Sequence, residues 1–476
     1  MRRQPLRRVV IVGGGASGTL VAVALLRRAS AARPVAISII EKRGYIGPGL
    51  AYSTTDPQHL LNSTVGQMSA LEDEPEHLLR WLLGRGIAAT SNTYLPRSTF
   101  GEYLVWLLET TRVPAGSRLD RVYGEAVDVV EEFDSVAVTL DDGRILSAES
   151  VVLALGNPPG RRTSLGSSRA EMVDDPWAAG ALDAITSDDR VLLVGTGLTT
   201  VDVALTLARS RPSIELTAVS RHGLLPRRHT SVPVNPKPHA VPENCTLREL
   251  VRLMRGHLSA AEQSGEGWRT VIDGMRPSLS EIWQRLSRAD RESFVRHLAR
   301  RWEIHRHRMA PQVAEKVRQL IEAGQLRILT TAELDSADHF THVINCTGPQ
   351  PVASPGWSLL VDRLLDRGTA RPNELGLGMD TDHHAALIGE TGGIQQRTYA
   401  IGFARRGTAW ECTAVPEIRA PAGRATRGRR PVRRRLTTRP VRPRKRRQSR
   451  RASPRLRCRG PSPRTASQTA SPRAPW

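Results

Sequence analysis

Paired cysteines are missing from this chain. Its four cysteines, Cys245, Cys346, Cys412 and Cys458, are scattered, and no two form a C-x-x-C pair. That pattern argues against a structural zinc site or a dithiol redox centre. Four cysteines in 476 residues suit a reducing cytoplasm, the expected location. Long apolar runs are missing too: no uninterrupted stretch reaches the ~18 residues of a transmembrane helix. Acidic residues are missing from one region. Positions 421–476 hold 20 of the 69 Lys and Arg and none of the 47 Asp and Glu, so that 49 basic residues face 47 acidic ones in the rest. The formal net charge of +22 therefore belongs to the last segment, and the remainder is nearly neutral.

What is present begins at the N-terminus. Arg2, Arg3, Arg7 and Arg8 precede an apolar run, and Ala29-Ser30-Ala31 resembles a cleavage site. An export signal would need that run unbroken, and glycines interrupt it. The interruption has its own logic. Val9 to Val12 reads as a buried parallel strand, Gly13-Gly14-Gly15-Ala16-Ser17-Gly18 follows at once, and Thr19 to Ser30 reads as a helix. This is G-x-G-x-x-G between strand and helix. Gly13 permits the tight turn, Gly15 lets backbone approach a pyrophosphate, and Gly18 lets helix and strand pack closely. Ser17 lies in the glycine turn just ahead of the helix, whose free N-terminal N–H groups attract phosphate. A second strand, Val35 to Ile40, ends in Glu41, where a carboxylate accepts hydrogen bonds from an adenosine ribose.

The pattern recurs. Val191 to Val194 is a short apolar strand, followed by Gly195-Thr196-Gly197-Leu198-Thr199-Thr200 and a helix through Asp202 to Ala208. Thr200 replaces the third glycine, so looser packing of helix on strand is expected here. The next strand, Ile214 to Val219, ends in Ser220-Arg221-His222 and lacks the acid. Arg221 either pairs with a 2′-phosphate, which favours NADPH over NADH, or faces solvent. A chain of this length calls for two or three domains, and two dinucleotide units point to a flavin reduced by a nicotinamide.

Between and beyond these units, 126–140 and 144–155 read as strands joined by a turn at Asp141-Asp142-Gly143. Two apolar strands end in glycine turns at Gly156 and Gly348; in two-site flavoproteins such strands mark where the chain crosses back between domains beside the cofactors, so both glycines are expected cofactor contacts. Residues 245–323 read as a helical insertion. His297, His305 and His307 within it lack partners at ligand spacing, so no metal is expected. Asn62 stands either for a hydrogen bond to a flavin or nicotinamide edge or for a loop cap. Arg97 stands either for a phosphate or anionic-substrate contact or for a surface ion pair. A last helix is expected from Thr408 to Arg419. Its N-terminus either faces the flavin, where charge develops on reduction, or is a structural cap.

Further segments carry a resemblance. They are Gly47-Pro48-Gly49-Leu50-Ala51-Tyr52-Ser53, His59-Leu60-Leu61-Asn62 with Met68-Ser69, and Pro96-Arg97 with Phe100 to Leu104. Asp175-Pro176-Trp177, His305 to Pro311, Gly407 to Glu411 and Val415 to Arg419 complete the set. Over residues 9–419 the chain resembles the bacterial FAD/NAD(P)-binding oxidoreductases, two-dinucleotide-domain flavoproteins with a split FAD domain. The resemblance implies FAD at the first site and NAD(P)H at the second, with Trp410 and Glu417 beside the cofactor. The Phe-x-Gly-x-x-x-His fingerprint of Baeyer–Villiger monooxygenases is missing between Gly156 and Gly195. N-hydroxylation of an amine or amino acid stays open by similarity to the broader class.

The expected architecture is α/β, with two Rossmann-like, doubly wound dinucleotide-binding domains. Residues 1–160 form the first part of the FAD domain, 185–340 the NAD(P) domain with its insertion, and 341–419 the FAD return segment. Residues 420–476 form an Arg/Pro-rich arm expected to be disordered. The helical pattern stops abruptly near residue 420, and the composition beyond is that of a GC-rich gene read out of frame, an explanation favoured over a selected basic arm. The expected function is FAD-dependent NAD(P)H oxidation, monooxygenase-like, on a small-molecule substrate. A flavin-bound redox sensor, or a nucleic-acid binder acting through the arm, are the alternatives.

Overall fold

The computed structural model describes residues 5–161, 163, 165, 170–230, 236–336 and 339–419. The arm at 420–476, with its expected disorder and shift of frame, lies outside them.

Strand β1 (Arg7–Val12), helix α1 (Ala16–Arg28) and strand β2 (Val35–Glu41) form the first unit. β1 and β2 pair in parallel, with Val12 opposite Ile40. Parallel strands are covered on both faces, which is why Val9 to Val12 are apolar without alternation and all buried. Helices α2 (Gly49–Tyr52), α3 (His77–Gly84) and α4 (Arg97–Thr110) follow. Phe100, Tyr103 and Leu104 of α4 are buried in one core with Leu20 and Val21 of α1, each such side chain contributing roughly 1.5–3 kcal/mol.

Strand β3 (Arg118–Tyr123) pairs with the outer edge of β2. The stretch 126–140, expected as one strand, is two. β4 (Ala126–Glu131) and β5 (Val136–Leu140) are joined by a turn in which Phe133 is fully exposed. The run Glu131-Glu132-Phe133-Asp134-Ser135 is too rich in acidic and turn-forming residues to continue a ladder. With β6 (Ile145–Ala148) these strands form a separate antiparallel sheet, and β7 (Ser150–Leu153) then joins the main sheet beside β1.

The second unit holds β8 (Glu171–Val173), β9 (Arg190–Val194), α5 (Leu198–Ser210) and β10 (Glu215–Ser220). The insertion follows as α6 (Leu247–Gln263), α7 (Trp268–Met275), α8 (Leu279–Arg285), α9 (Arg288–His297) and α10 (Ala299–Arg306). Helix α11 (Pro311–Glu322), expected within the insertion, instead packs its Val313, Ala314 and Val317 into the core of the second unit. β11 (Leu326–Thr330) and β12 (His342–Asn345) complete a parallel sheet of order β11-β10-β9-β12-β8. Two boundaries therefore move. β8 starts the second unit before residue 185, and β12, expected to open the return segment at 341, pairs with β9.

The chain then returns. α12 (Leu359–Asp366) packs its Leu360, Val361 and Leu364 into the core shared with β4 and β5. β13 (Ala386–Ile388) and β14 (Ile394–Ala400) complete the first sheet, in the order β13-β14-β7-β1-β2-β3. β14 runs parallel to β7, so the first unit is split in sequence. In both sheets the strand before the glycine motif lies between neighbours wound in opposite directions, which places each glycine turn at a switch point beyond the carboxyl ends of the strands. The last helix begins at Val415 rather than Thr408. Residues 408–414, after Gly407 at φ +103, form turns and bends ahead of it. Among the described residues no helix is long and apolar enough to cross a membrane.

Candidate dinucleotide sites

The first turn is built by close backbone contact. Gly13 stands at φ +104, and a Cβ there would lie 2.2 Å from the Ala154 carbonyl oxygen. A Cβ on Gly18 would lie 1.9 Å from the Gly13 carbonyl oxygen. Helix α1 starts at Gly15 with no side-chain cap, so its leading N–H groups stay available to an anion. The Ser17 hydroxyl beside them has no hydrogen-bond partner among the described residues. Glu41, buried at the end of β2, accepts from the Gly14 N–H (2.8 Å) with one oxygen and from the Arg43 N–H (2.9 Å) with the other. Each oxygen keeps a second lone pair for a ribose hydroxyl. The Gly47–Gly49 turn lies on the motif: the Gly47 N–H donates to Gly14 O (2.8 Å), and a Cβ on Gly15 would lie 3.2 Å from Gly49 Cα.

The second turn repeats this plan. Gly195 stands at φ +119, and a Cβ there would lie 2.3 Å from the Cys346 carbonyl oxygen. Gly197 opens α5, again without a side-chain cap, and a Cβ there would meet nothing within 4 Å. That open face above a free helix N-terminus fits a pyrophosphate. The same openness is found at Gly156 and Gly348, both at positive φ after their strands. Thr200 does not loosen the packing as expected. It is buried, and its hydroxyl donates to Gly195 O (2.8 Å), so a hydrogen bond replaces the glycine contact. Arg221 is exposed just beyond β10, with no partner among the described residues.

A buried polar cluster joins the two units. Arg97, at the start of α4, forms an ion pair with Asp202 of α5 and lies over the Trp177 ring at 5.6 Å. Burial raises the Asp202 carboxyl above its ordinary pKa, against the pull of Arg97. His59 Nε2 faces Asp202 O (3.3 Å) and Thr206 Oγ1 (2.9 Å). A carbonyl only accepts, so Nε2 carries the proton and Nδ1 accepts from Thr54 Oγ1 (2.6 Å). Asp56 accepts from Thr206 Oγ1 (2.7 Å) and Arg209 Nη1 (2.9 Å). Of the two readings of Arg97, the geometry supplies an ion pair, but one that is largely buried and bridges the units. Asn62 meets the second unit through its backbone: its carbonyl accepts from His229 Nε2 (3.0 Å), and its side chain has no partner among the described residues. Burial first, and the neighbouring Arg308 next, push the His229 pKa down to about 3.

Trp410 and Glu417 meet the helical insertion. Trp410 packs against Trp283 (5.0 Å) and Phe294 (5.1 Å), beside an apolar cavity of about 230 Å³ that Leu250, Met254 and Ile282 also line. Glu417 holds Arg276 through both oxygens (2.6 and 2.9 Å). Arg306, buried, lies 3.5 Å from Glu411 and 3.8 Å from Glu417. Among the described residues no group of three or more His, Cys, Asp or Glu could hold a metal ion. Sequence reasoning singled out Arg97 but missed its partner Asp202, the neighbouring Asp56 and His59, and Arg300, which sits on the second glycine turn. Long-range pairing of this kind leaves no local spacing to detect.

Comparison with known proteins agrees with this geometry. Residues 10–158 match the FAD-NAD(P)-binding family model. The chain is 26% identical over 253 residues to the L-aspartate N-monooxygenase (nitrosuccinate-forming) of Streptomyces davaonensis, covering 43% of this chain but only 39% of that protein. Among solved structures it is similar to the ornithine N-hydroxylase of Kutzneria sp. 744, with a TM-score of 0.57 at 15% identity over 89% of this chain and 98% of the other. The L-lysine 6-monooxygenase of Pseudomonas syringae gives 0.56 at 15% identity, over 88% and 98%. At such identities the two structural likenesses, each over nearly nine-tenths of this chain, speak for the fold alone. Residues 10–158 thus match the FAD-NAD(P)-binding family model, within a chain whose fold is that of solved two-dinucleotide-domain flavoprotein structures.

Proposed function

We propose that this chain is an FAD-dependent, NADPH-consuming monooxygenase that hydroxylates a nitrogen of a small amine or amino acid. The observation that carries the reading is the repeated, uncapped glycine turn at the switch point of each sheet, one beside Glu41 and the other beside Arg221. The first turn, with Gly13, Gly15, Ser17, Gly18 and Glu41, would hold FAD. The second, with Gly195, Gly197, Thr200 and Arg221, would hold NADPH. Bound flavin would supply the redox chemistry, taking a hydride from the nicotinamide and passing the electrons to oxygen. The protein's part is to bind, to orient and to exclude water. The buried cluster around Asp202 fixes one unit on the other, and Trp410 with α8 and α9 supplies an apolar wall. Support for nitrogen as the target comes from the partial likeness to an L-aspartate N-monooxygenase.

The test is a visible spectrum of purified chain loaded with FAD, followed anaerobically by NADPH, then by air with a panel of amines including L-aspartate. Bleaching by NADPH, recovery in air and a hydroxylamine or nitroso product support the reading. Rapid NADPH oxidation yielding only peroxide with every amine counts against N-hydroxylation and leaves an oxidase.

A further inference from the structure

The register of the two sheets makes the two sites comparable atom by atom. Val12 lies opposite Ile40 in the first, and Val194 opposite Val219 in the second. Glu41 and Ser220 therefore hold equivalent positions, as do Gly14 and Thr196. In the first site the Gly14 N–H donates to the Glu41 carboxylate. In the second, Thr196 Oγ1 and Ser220 Oγ share a hydrogen bond of 2.8 Å, and no carboxylate is present. A guanidinium arrives there instead. Arg300 Nη2 donates to Thr196 O (2.9 Å), Thr196 Oγ1 (3.2 Å) and Leu224 O (2.5 Å). It comes from α10, more than a hundred residues along the chain.

Arg300 has no carboxylate at ion-pair distance among the described residues, and its Nε and Nη1 donate to nothing there. Burial without a counter-ion lowers its pKa from the ordinary value, with only Glu303 acting against this. A half-buried guanidinium held by neutral oxygens has unspent charge and free donors, and an oxyanion satisfies both. In a site of this topology, the position after the second strand faces the 2′ oxygen of the adenosine ribose, and an arginine there accommodates a 2′-phosphate.

We propose that Arg300, delivered by the helical insertion, pairs with Arg221 to read the 2′-phosphate of NADPH, so that the insertion sets nucleotide selectivity. This rests on the reading of the second turn as the nicotinamide site. The test measures dissociation constants of flavin-loaded protein for NADPH, NADH, 2′,5′-ADP and 5′-AMP, in the wild type, Arg300→Met and Arg300→Lys. Losing charge-assisted hydrogen bonds should weaken NADPH and 2′,5′-ADP about ten- to hundredfold in Arg300→Met. NADH and 5′-AMP should stay within about twofold, and Arg300→Lys should keep part of the preference because it keeps the charge. Equal weakening of all four ligands would mean that Arg300 only braces the turn, and no weakening would mean that it does not reach the nucleotide. Either overturns the proposal while the NADPH site stands. A wild type that binds neither nicotinamide nucleotide overturns both.

Discussion

Gly195 and His229 show how much one residue carries in the second unit. At Gly195 an alanine Cβ would meet the Cys346 carbonyl oxygen at 2.3 Å, and φ is +119. Gly195→Ala should cost roughly 1–3 kcal/mol of strain and displace the turn before α5. Because the Gly13 turn is untouched, the variant should retain the flavin spectrum yet lose bleaching by NADPH. Loss of flavin with unchanged nucleotide binding would assign the two turns the other way round. His229 makes a pH prediction. Its pKa of about 3 when folded lies below the ordinary 6.5, so below pH 6.5 the unfolded chain takes up a proton that the folded chain refuses. Its contribution is complete above 6.5 and is lost as pH falls toward 3, by up to ~2 kcal/mol at pH 5. His229→Gln keeps a donor for the Asn62 carbonyl and lacks the titration. The drop in urea midpoint from pH 7.5 to 5 should be smaller in the variant, and an equal drop rules the effect out. At this scale the glycines and Glu41 were legible in the sequence, because strand, turn and helix are consecutive and each glycine has a local steric reason. His59, Asp202 and Arg300 were not, since their partners lie on segments that only the tertiary fold brings together.

At the scale of elements, the insertion is tied to the end of the described chain. Trp283 Nε1 on α8 donates to Gly407 O (2.7 Å), and Arg276, just after α7, holds Glu417 through both oxygens. Both partners of that pair are about one-fifth exposed. Breaking it in Arg276→Met leaves Glu417 with Arg306 at 3.8 Å, and the cost should fall below the ~3–5 kcal/mol of a fully buried pair. Protease cleavage within residues 247–306 should accelerate in Arg276→Met and slow again in the exchanged pair Arg276→Glu with Glu417→Arg. Cleavage unchanged in the single variant would mean that the apolar contacts of Trp283, Phe294 and Trp410 fix the insertion alone. Element types were legible from periodicity here, and their ends were less so. A helix pattern from Thr408 is realised only from Val415, and a strand pattern across 126–140 is cut by an acidic turn. α11 joined the second unit because its apolar stripe faces that core, which periodicity alone does not reveal.

At the scale of the molecule, the two units work as one only if their relative placement is fixed where nucleotide and flavin must meet. The contact best suited to this is Arg97 with Asp202. Asp202 is 6% exposed, and burial already raises its pKa against the pull of Arg97. A buried carboxylate deprived of its partner either stays charged at a cost of ~3–5 kcal/mol or takes up a proton. Arg97→Met should therefore be strongly destabilised at pH 8, and less so as pH falls and the raised Asp202 carboxyl takes up a proton. Asp202→Asn alone leaves Arg97 partly buried without its counter-ion, with Trp177 still beneath it. The double variant removes both charges and should recover much of the loss, because most of the single-variant cost is an orphaned charge rather than a lost attraction. Urea unfolding followed by tryptophan emission gives stability, and stopped-flow bleaching by NADPH gives the rate at which the nicotinamide reaches the flavin. If the double variant regains stability but bleaches slowly, the pair serves alignment. If it regains both, any well-packed contact suffices there. Additive losses in the two single variants would mean that the residues act independently and that the units are held elsewhere, with the His59–Thr206 and Asp56–Arg209 bonds the next to be removed.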